Sequence, residues 1–327
     1  MTAAYKRILL TGGGGFVGAH AAGALAAAWP DAFRVNLLRP GESAGNPAFS
    51  VAVCDLTDEA AVDRLVADVC PDLVVHLAGQ ASIGQSASAP EATWRANFHG
   101  AFGLGAAVGR HAPDAVMLFA STATAYGASF ADGPATEETP LRPLDVYSRS
   151  KAAAESALAD VVGPRARLLV ARPVNHSGPG QRSRHFVLSS FAAQIAAIEA
   201  GKAEPRLEVG DLSKARDFLD VRDVVDAYMR LIAAAGDLPA RAVFNVGSGE
   251  AHSIADLLEI MRGMARRPFE VHVDPARLRP AATDLASVRC DATKLRAATG
   301  WRPQHSMTDM LGALLDHWRV EIAGDAA

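Results

Sequence analysis

The feature that most constrains the fold is a glycine-rich turn near the start of the chain. Residues 11–18 read TGGGGFVG and lie between a short apolar run, Ile8–Thr11, and a segment of helical spacing at 17–28. Glycine permits a tight turn and a close backbone approach, and a helix N-terminus attracts anions. The turn therefore predicts a dinucleotide site between a first strand and a first helix. The residues assigned to this site are Gly12, Gly15, Phe16, Val17 and Gly18.

The rest of the first half alternates short apolar runs with longer segments of helical spacing. This alternation predicts a parallel sheet with helices on both faces. The predicted fold class is α/β, a doubly wound parallel (Rossmann) sheet with a smaller, mixed α/β C-terminal lobe. Strands are expected at Ile8–Thr11, Arg34–Leu38, Val51–Cys54, Leu73–Leu77, Val116–Ala120 and Leu168–Ala171, and helices near 17–28, 58–69, 91–110 and 147–161.

In the second half the alternation of apolar runs and helical segments is less regular, which predicts two interleaved domains. Residues 1–174 and about 218–246 are expected to form the dinucleotide-binding domain, because 244–246 reads as a further strand of the main sheet. Residues about 175–217 and 247–327 are expected to form a substrate lobe. The cleft between sheet and lobe is the natural place for a substrate.

The composition argues against several other classes of function. The chain has 327 residues, 50% hydrophobic and 21% charged, which suits a globular protein with a large core. A net charge of −4 offers nucleic acid no basic surface, and no apolar stretch reaches the ~20 residues that span a bilayer. The three cysteines lack metal-ligand spacing, so no metal site is predicted. The N-terminus has no signal-peptide pattern, so we expect a cytoplasmic protein.

Other strand ends fit the same dinucleotide. Asp55-Leu56 follows the third strand and is expected to hold the adenine edge, whereas Leu77-Ala78-Gly79 follows the fourth and leaves space for the cofactor chain. Arg39 ends the second strand, where an acidic residue would bind the adenosine ribose of NAD. A guanidinium there suits a 2′-phosphate, so NADP(H) is favoured and NAD(H) is the alternative.

The residues that carry chemistry are Thr122, Tyr147 and Lys151. Tyr147 and Lys151 are one helical turn apart, so they are expected to share a helix face. Lys151 is expected to bind the nicotinamide ribose and to lower the pKa of Tyr147 from ~10 toward neutral pH. Tyr147 would then donate a proton to a carbonyl oxygen, and Thr122 would hold that oxygen in place.

The chain resembles the extended short-chain dehydrogenase/reductase superfamily, also called the NAD-dependent epimerase/dehydratase family. The shared motifs are TGxxGxxG at 11–18, a Ser-Thr segment ending in Tyr-Gly at 121–127, and YxxxK at 147–151. Within this superfamily the chain is most similar to GDP-6-deoxy-4-keto-D-mannose reductases. The similarity is carried by 171–181, ARPVNHSGPGQ, and 207–224, LEVGDLSKARDFLDVRDV.

The resemblance implies a nucleotide-sugar substrate and a set of residues that bind it. Asn175, Arg216 and Arg279 would hold the substrate diphosphate, because guanidiniums neutralise phosphates through forked hydrogen bonds. Val187 and Leu207 would line the guanine pocket, and Ser82 would face the sugar. The resemblance also implies a homodimer built through a four-helix bundle of the helices at 91–110 and 147–161.

One position departs from the pattern and leaves alternatives open. Related 4,6-dehydratases carry a Glu two residues after the catalytic hydroxyl, and reductases of this type often carry an acidic residue there, whereas this chain has Thr124. A threonine cannot act as the general acid that dehydration needs. The favoured activity is NAD(P)H-dependent reduction of the 4-keto group of a GDP-4-keto-6-deoxy-hexose. The alternatives are a nucleotide-sugar 4-epimerase with tightly bound NAD and, less favoured, a 4,6-dehydratase or a non-catalytic dinucleotide sensor.

Overall fold

The computed structural model describes residues 4–42, 45–278 and 285–324. Eleven α-helices and fourteen strands are assigned within these ranges. The helices are α1 Phe16–Ala28, α2 Glu59–Val69, α3 Ile83–Ser88, α4 Pro90–Trp94, α5 Gly100–His111, α6 Val146–Val161, α7 Val187–Glu199, α8 Val221–Ala233, α9 Ile254–Met264, α10 Thr293–Thr299 and α11 Met307–Gly324. The strands are β1 Arg7–Thr11, β2 Phe33–Leu38, β3 Ser50–Val53, β4 Leu73–His76, β5 Val116–Ala120, β6 Arg167–Pro173, β7 Asn175–Ser177, β8 Arg206–Val209, β9 Ala215–Arg216, β10 Phe218–Asp220, β11 Arg241–Val246, β12 His252–Ser253, β13 Glu270–Val273 and β14 Ser287–Val288.

The centre of the molecule is a seven-stranded sheet in the order β11-β6-β5-β4-β1-β2-β3. All six neighbouring pairs are parallel. The strand order reverses between β1 and β4, and ligands of such sheets bind outside the carboxyl ends of the strands at that reversal. The predicted doubly wound α/β fold is confirmed.

The strands of the sheet centre are apolar throughout because helices cover both faces. In β1, Ile8 and Leu10 point into one core, which they share with α8, whereas Leu9 points into the other, which it shares with α2 and α5. Side-chain caps set where several helices begin. Asp58, Asp145 and Ser253 each accept a hydrogen bond from a backbone N–H in the first turn of α2, α6 and α9.

A third core lies in the C-terminal lobe and is formed mainly by α7, α9 and α11. Buried residues of β8 and β10 complete it. The segment that follows β14 is different, because Cys290, Leu295 and Trp301 pack with the core on one face of the main sheet. We propose the interleaved division into two domains on the strength of the separate core.

The helix expected at 91–110 is interrupted. A π-helical turn at Arg95–His99 joins α4 to α5, and such turns are frequent at functional sites. Within the described ranges, no helix is long and apolar enough to cross a membrane. The same residues contain no group of three His, Cys, Asp or Glu side chains arranged to hold a metal ion.

Candidate active site

A cavity of about 840 Å³ lies between the carboxyl ends of the strands and the C-terminal lobe. It runs from the glycine turn past the end of β5 to the face of α6 that carries the YxxxK motif. Every residue predicted to be catalytic lines it, as do most of those predicted to bind ligands. These residues are Gly12, Gly15, Phe16, Val17, Gly18, Leu77, Gly79, Ser82, Thr122, Tyr147, Lys151, Asn175, Val187 and Arg216.

The glycine turn packs as a dinucleotide cradle requires. Gly12 has φ +76°, and a Cβ atom there would lie 2.7 Å from the backbone nitrogen of Ala78. A Cβ atom on Gly18 would lie 1.9 Å from the carbonyl oxygen of Gly12. Both contacts are closer than real Cβ atoms tolerate, so only glycine allows the turn to close over the N-terminus of α1. The residues present therefore fit a dinucleotide diphosphate at this helix N-terminus.

Four residues assigned to the cofactor do not line this cavity. Arg39 is exposed and its guanidinium pairs with Glu42 at 2.7 Å. The carboxylate of Asp55 accepts hydrogen bonds from the backbone and hydroxyl of Thr57, which lower its pKa. Leu56 is buried against Gly100. Ala78 contributes its backbone, because its nitrogen donates to Thr11 and it packs beneath Gly12. The cofactor roles of these four residues stay predictions.

Lys151 is buried at the end of β5. Its ammonium donates to the carbonyl oxygen of Ala120 at 2.9 Å and lies 4.8 Å from the centroid of the Phe119 ring. Burial lowers the pKa of Lys151 to about 8, and the Glu155 carboxylate opposes that change. The side chain is therefore mostly protonated at neutral pH and loses its charge as pH rises through about 8.

Tyr147 lies on the same helix and lines the same cavity. Burial raises the pKa of its phenol to about 12, the hydrogen bond with Thr122 opposes this rise, and the Asp145 carboxylate adds to it. The structure corrects the expectation that Lys151 brings this pKa toward neutral. Desolvation is the largest cause of the rise, and the ammonium of Lys151 is directed at the carbonyl oxygen of Ala120. The phenol is therefore held in its protonated form, which suits a proton donor.

The hydroxyl of Thr122 lies at the start of a short 3₁₀ turn, Ala123–Tyr126. Its oxygen accepts from the backbone N–H of Thr124 at 3.2 Å and lies 2.9 Å from the hydroxyl of Thr124. Tyr147 lines the same cavity, and an interaction with Thr122 opposes the rise in its pKa. Thr122 and Tyr147 therefore face one region of the cavity, where a carbonyl oxygen could contact both.

The family model for GDP-mannose 4,6 dehydratase matches residues 9–314 of this sequence. The chain belongs to this family. The fold and the three motifs also place it in the extended short-chain dehydrogenase/reductase superfamily, as the sequence predicted.

Relatives of known activity cover nearly the whole chain. GDP-6-deoxy-D-mannose reductase of Pseudomonas aeruginosa is 37% identical, over 97% of this chain and 98% of its own. dTDP-L-rhamnose 4-epimerase of Burkholderia thailandensis is 29% identical, over 94% of each. The structure of RMD from Pseudomonas aeruginosa complexed with NADPH has a TM-score of 0.78 at 33% identity, over 97% of this chain and 100% of that one.

A second solved structure shows the same fold with the other nicotinamide cofactor. UDP-glucose 4-epimerase of Thermus thermophilus, in complex with NAD, has a TM-score of 0.81 at 28% identity, over 96% of this chain and 99% of that one. The prediction of an NAD(P)-dependent oxidoreductase of the nucleotide-sugar branch is confirmed. NADPH in one relative and NAD in another agree with the predicted cofactor class.

Some of the residues that the family resemblance assigned to substrate binding line the cavity, and others do not. Asn175, Val187 and Arg216 meet at the wall that the cavity shares with a second, smaller one of about 260 Å³. Leu207 does not line either cavity, and its assignment to the guanine pocket stays a prediction. Side chains alternate along β8, so Leu207 faces the core of the lobe, fully buried, while Glu208 faces the smaller cavity. Arg279 lies outside the described residues.

The smaller cavity brings together basic side chains that the sequence analysis missed. Arg184, Lys214 and Arg277 line it beside Arg216. They come from separate loops and from β9, and Arg184 also lies over the ring of Trp318. A set of cations next to an apolar cavity wall suits a nucleotide diphosphate. No local pattern signals it, because the residues are up to 93 positions apart, from 184 to 277.

Asn97 is a second residue that the sequence analysis missed. It is buried in the π-helical turn, and its amide nitrogen donates to Ser150 at 3.0 Å and to the carbonyl oxygen of Gln80 at 3.1 Å. Its oxygen accepts from the backbone of Gln80 at 2.8 Å. Asn97 therefore ties the loop after β4 to α6, which holds Gly79 against Lys151. The helical spacing of residues 91–110 gave no sign that Asn97 makes these contacts.

A buried ion pair joins α6, the helix that contains Tyr147 and Lys151, to β6. Arg172 on β6 and Glu155 on α6 pair at 2.6 Å, and both are more than nine-tenths buried. Arg172 also donates to the hydroxyl of Tyr126, which donates to Asn245. Ser121 donates to the same Glu155 carboxylate. The network joins the segment that contains Thr122 to the helix that contains Tyr147 and Lys151.

Proposed function

We propose that the chain reduces the 4-keto group of a GDP-4-keto-6-deoxy-hexose, with GDP-4-keto-6-deoxy-D-mannose converted to GDP-D-rhamnose by NADPH. The observation that carries the proposal is the shared cavity of Thr122, Tyr147 and Lys151 beside the glycine turn. The identity to the Pseudomonas aeruginosa reductase over both full chains supports the choice of substrate.

Each group of residues has a separate role in the proposed reaction. The turn at Gly12–Gly18 and the N-terminus of α1 hold the cofactor diphosphate, and Lys151 binds the nicotinamide ribose. NADPH supplies the hydride when bound. Thr122 orients the ketone oxygen, and Tyr147 gives that oxygen its proton. Arg216 and the cations of the smaller cavity hold the substrate diphosphate, which fixes the sugar in the larger cavity.

The presence of Thr124 argues against the dehydratase reaction for which the family is named. Elimination of the carbon-6 hydroxyl needs a carboxyl group in this position, and a threonine hydroxyl does not ionise near neutral pH. The Thr124 hydroxyl bonds instead to the hydroxyls of Thr122 and Ser148. Thr124 is therefore part of a group of hydrogen-bonded hydroxyls. A reductase does not need a carboxyl group at this position.

The second candidate is a nucleotide-sugar 4-epimerase. Thr124 favours the epimerase activity, because the sequence at 121–127 resembles the corresponding segment of 4-epimerases. A 4-epimerase is also among the relatives that cover nearly the whole chain. An epimerase keeps NAD bound through the cycle and needs no added reductant, whereas the reductase consumes NADPH. The absorbance spectrum of the isolated protein therefore separates the two.

The proposal is tested with purified protein, GDP-4-keto-6-deoxy-D-mannose and either NADPH or NADH. We expect stoichiometric loss of reduced-nicotinamide absorbance and GDP-D-rhamnose as the product. UDP-, dTDP- and CDP-linked 4-keto sugars serve as matched controls and should react more slowly. Absence of oxidation with both cofactors rejects the reductase. Release of NAD on denaturation, together with interconversion of sugars without reductant, assigns the epimerase.

We also propose a homodimer through a four-helix bundle of the helices at 91–110 and 147–161. The outer face of this region carries an aromatic row, since the ring centroids of Trp94 and Phe98 are 5.9 Å apart and those of Phe98 and Phe102 6.3 Å. Phe102 is exposed in the single chain. Light scattering should give twice the chain mass, and Phe102→Glu should give monomers. A monomeric wild type would contradict this. The cytoplasmic location stays a prediction.

A further inference from the structure

One polar side chain in the wall of the large cavity has no role in the reaction described above. Tyr228 on α8 is only 2% exposed, and it lines the cavity together with Tyr147. Its aromatic ring packs in the core that α8 shares with one face of the main sheet. The fold therefore holds the Tyr228 side chain in place, and its small exposed area faces the cavity.

The hydroxyl group of Tyr228 is unpartnered. The buried hydroxyl of Tyr5 donates to a backbone carbonyl oxygen at 3.0 Å, and that of Tyr126 donates to an amide oxygen at 2.8 Å. No such bond joins the hydroxyl of Tyr228 to any described residue. In the described part of the chain the completely buried polar atoms without a partner are on other side chains, so the Tyr228 oxygen is accessible from the cavity. An unpaired hydroxyl in a nearly buried position is a natural hydrogen-bonding site for a ligand.

The cavity surface on the Tyr228 side is apolar. Val17, Leu77, Ala120 and Val174 line the cavity and pack with the core that contains Tyr228. The last three of these stand at the carboxyl ends of β4, β5 and β6. An apolar surface with one hydroxyl suits a planar ring that carries a single amide group, because the ring covers the apolar side chains and the amide pairs with the hydroxyl.

The place of this surface in the cavity corresponds to the nicotinamide end of the cofactor. The cofactor diphosphate fits at the glycine turn, and the ammonium of Lys151, which we assign to the nicotinamide ribose, is held at the carbonyl oxygen of Ala120. A ring attached to that ribose would lie over the ends of β4, β5 and β6. The surface that contains Tyr228 is therefore the one that the nicotinamide ring would cover.

We propose that the hydroxyl of Tyr228 binds the carboxamide group of the nicotinamide and so fixes the rotation of the ring about its bond to the ribose. The proposal rests on the proposed function in one respect, since both place the nicotinamide beside Tyr147. It assigns Tyr228 a role in cofactor binding and none in acid–base chemistry.

The protonation state of Tyr228 agrees with this role. Burial raises the pKa of its phenol, and the phenol of Tyr147 adds to the rise. The hydroxyl is therefore neutral at neutral pH. A neutral hydroxyl can donate to the carboxamide oxygen and can also accept from the carboxamide NH₂ group, so it matches both ends of the amide.

The test compares the binding of ligands with and without the nicotinamide ring. NADPH and 2′-phospho-ADP-ribose, which lacks the nicotinamide, are titrated calorimetrically into the wild type and Tyr228→Phe. We expect Tyr228→Phe to weaken the binding of NADPH by about threefold to tenfold, as for the loss of one neutral hydrogen bond, and to leave the affinity for 2′-phospho-ADP-ribose unchanged. NADH and ADP-ribose are titrated in parallel, so that the contribution of the ring is measured with either cofactor.

Tyr5→Phe is the matched control, because it removes a buried hydroxyl outside the cavity. It should leave all four affinities unchanged and lower the melting temperature. Tyr228→Phe should not lower the melting temperature, because its hydroxyl has no partner in the free protein.

Equal affinities of the wild type and Tyr228→Phe for the cofactors would overturn the proposal. An equal loss for the cofactors and for the ligands without the ring would overturn it as well. A wild type that binds NADPH but reduces no ketone rejects the proposed reductase, and the comparison of ligands then still decides the role of Tyr228. A wild type that binds neither cofactor would overturn both proposals.

Discussion

The backbone nitrogen of Ala78 lies 2.7 Å from the point where a side chain on Gly12 would begin. Gly12 directly follows β1, and Ala78 follows β4, the strand next to β1 across the reversal of strand order. The floor of the proposed cofactor site is therefore formed where two strand ends meet, and the contact leaves no room for a methyl group.

Gly12→Ala should weaken the binding of NADPH by about tenfold or more, because the turn must open to admit the methyl group. The positive φ adds strain of about 1–3 kcal/mol to the folded state. Fluorescence titration and urea unfolding measure the two effects. Gly23→Ala is the matched control. A Cβ atom on Gly23 meets nothing within 4 Å, so this variant should bind normally and gain about 0.5–1 kcal/mol as a helix former.

Glu155→Gln should destabilise the fold by about 3–5 kcal/mol, because it leaves the buried guanidinium of Arg172 without its counter-ion. Asp114→Asn breaks an exposed pair with Arg165 and should leave the melting temperature unchanged. Thermal unfolding of both variants provides the comparison. Equal melting temperatures would show that the buried network does not stabilise α6.

The affinity for NADPH should fall as pH rises through about 8, the value to which burial lowers the pKa of Lys151. The neutral amine loses a charge-assisted hydrogen bond, which costs about tenfold in affinity. Lys151→Met should bind weakly with a flat pH profile between about 7 and 10. A pH profile identical to that of the wild type would place the transition on another group.

Deprotonation of Lys151 should increase the stability of the fold, although it weakens the binding of NADPH. The pKa of Lys151 is about 8 in the folded protein against an ordinary value of 10.5, so the unfolded chain binds more protons between these values. The cost of burying the charged amine is therefore fully present below about 8, and it is relieved as pH rises across that window. Urea unfolding at several pH values, with Lys151→Met as reference, measures this slope. A wild-type slope equal to that of the variant would contradict the lowered pKa.

Arg39→Ala should reduce the preference for NADPH over NADH by about tenfold, because a forked guanidinium contact to the 2′-phosphate is lost. In the structure this guanidinium pairs with Glu42. Glu42→Gln should therefore raise the affinity for NADPH by freeing Arg39. A preference that is unchanged in Arg39→Ala would assign the 2′-phosphate to another residue.

Local sequence patterns were enough to predict the sheet, the glycine turn and the Tyr147–Lys151 pair, because each depends on neighbouring residues. Residues that act across long separations could not be predicted in this way. Asn97 was hidden within a helical pattern, and Arg277 reaches the smaller cavity only through the fold. Leu207 was assigned to the substrate because its segment fits the family, although strand alternation turns its side chain into the core.

The position of Thr124 shows a different limit. Its sequence context suggested only the absence of an acid, and no spacing rule connects it with Ser148, which is 24 residues away and hydrogen-bonds to it. The connection exists because α6 begins beside the end of β5. The pKa of Tyr147 was misjudged for a related reason, since the burial that raises it depends on the whole fold.

The measurement that tests the central claim most directly is the steady-state rate of Tyr147→Phe with NADPH and GDP-4-keto-6-deoxy-D-mannose. The change removes one oxygen atom and leaves the ring and the helix in place. We expect kcat to fall by about 10²–10⁴ while the dissociation constant for NADPH stays within about threefold of the wild-type value. A rate equal to that of the wild type would show that Tyr147 is not the proton donor and would contradict the proposed mechanism.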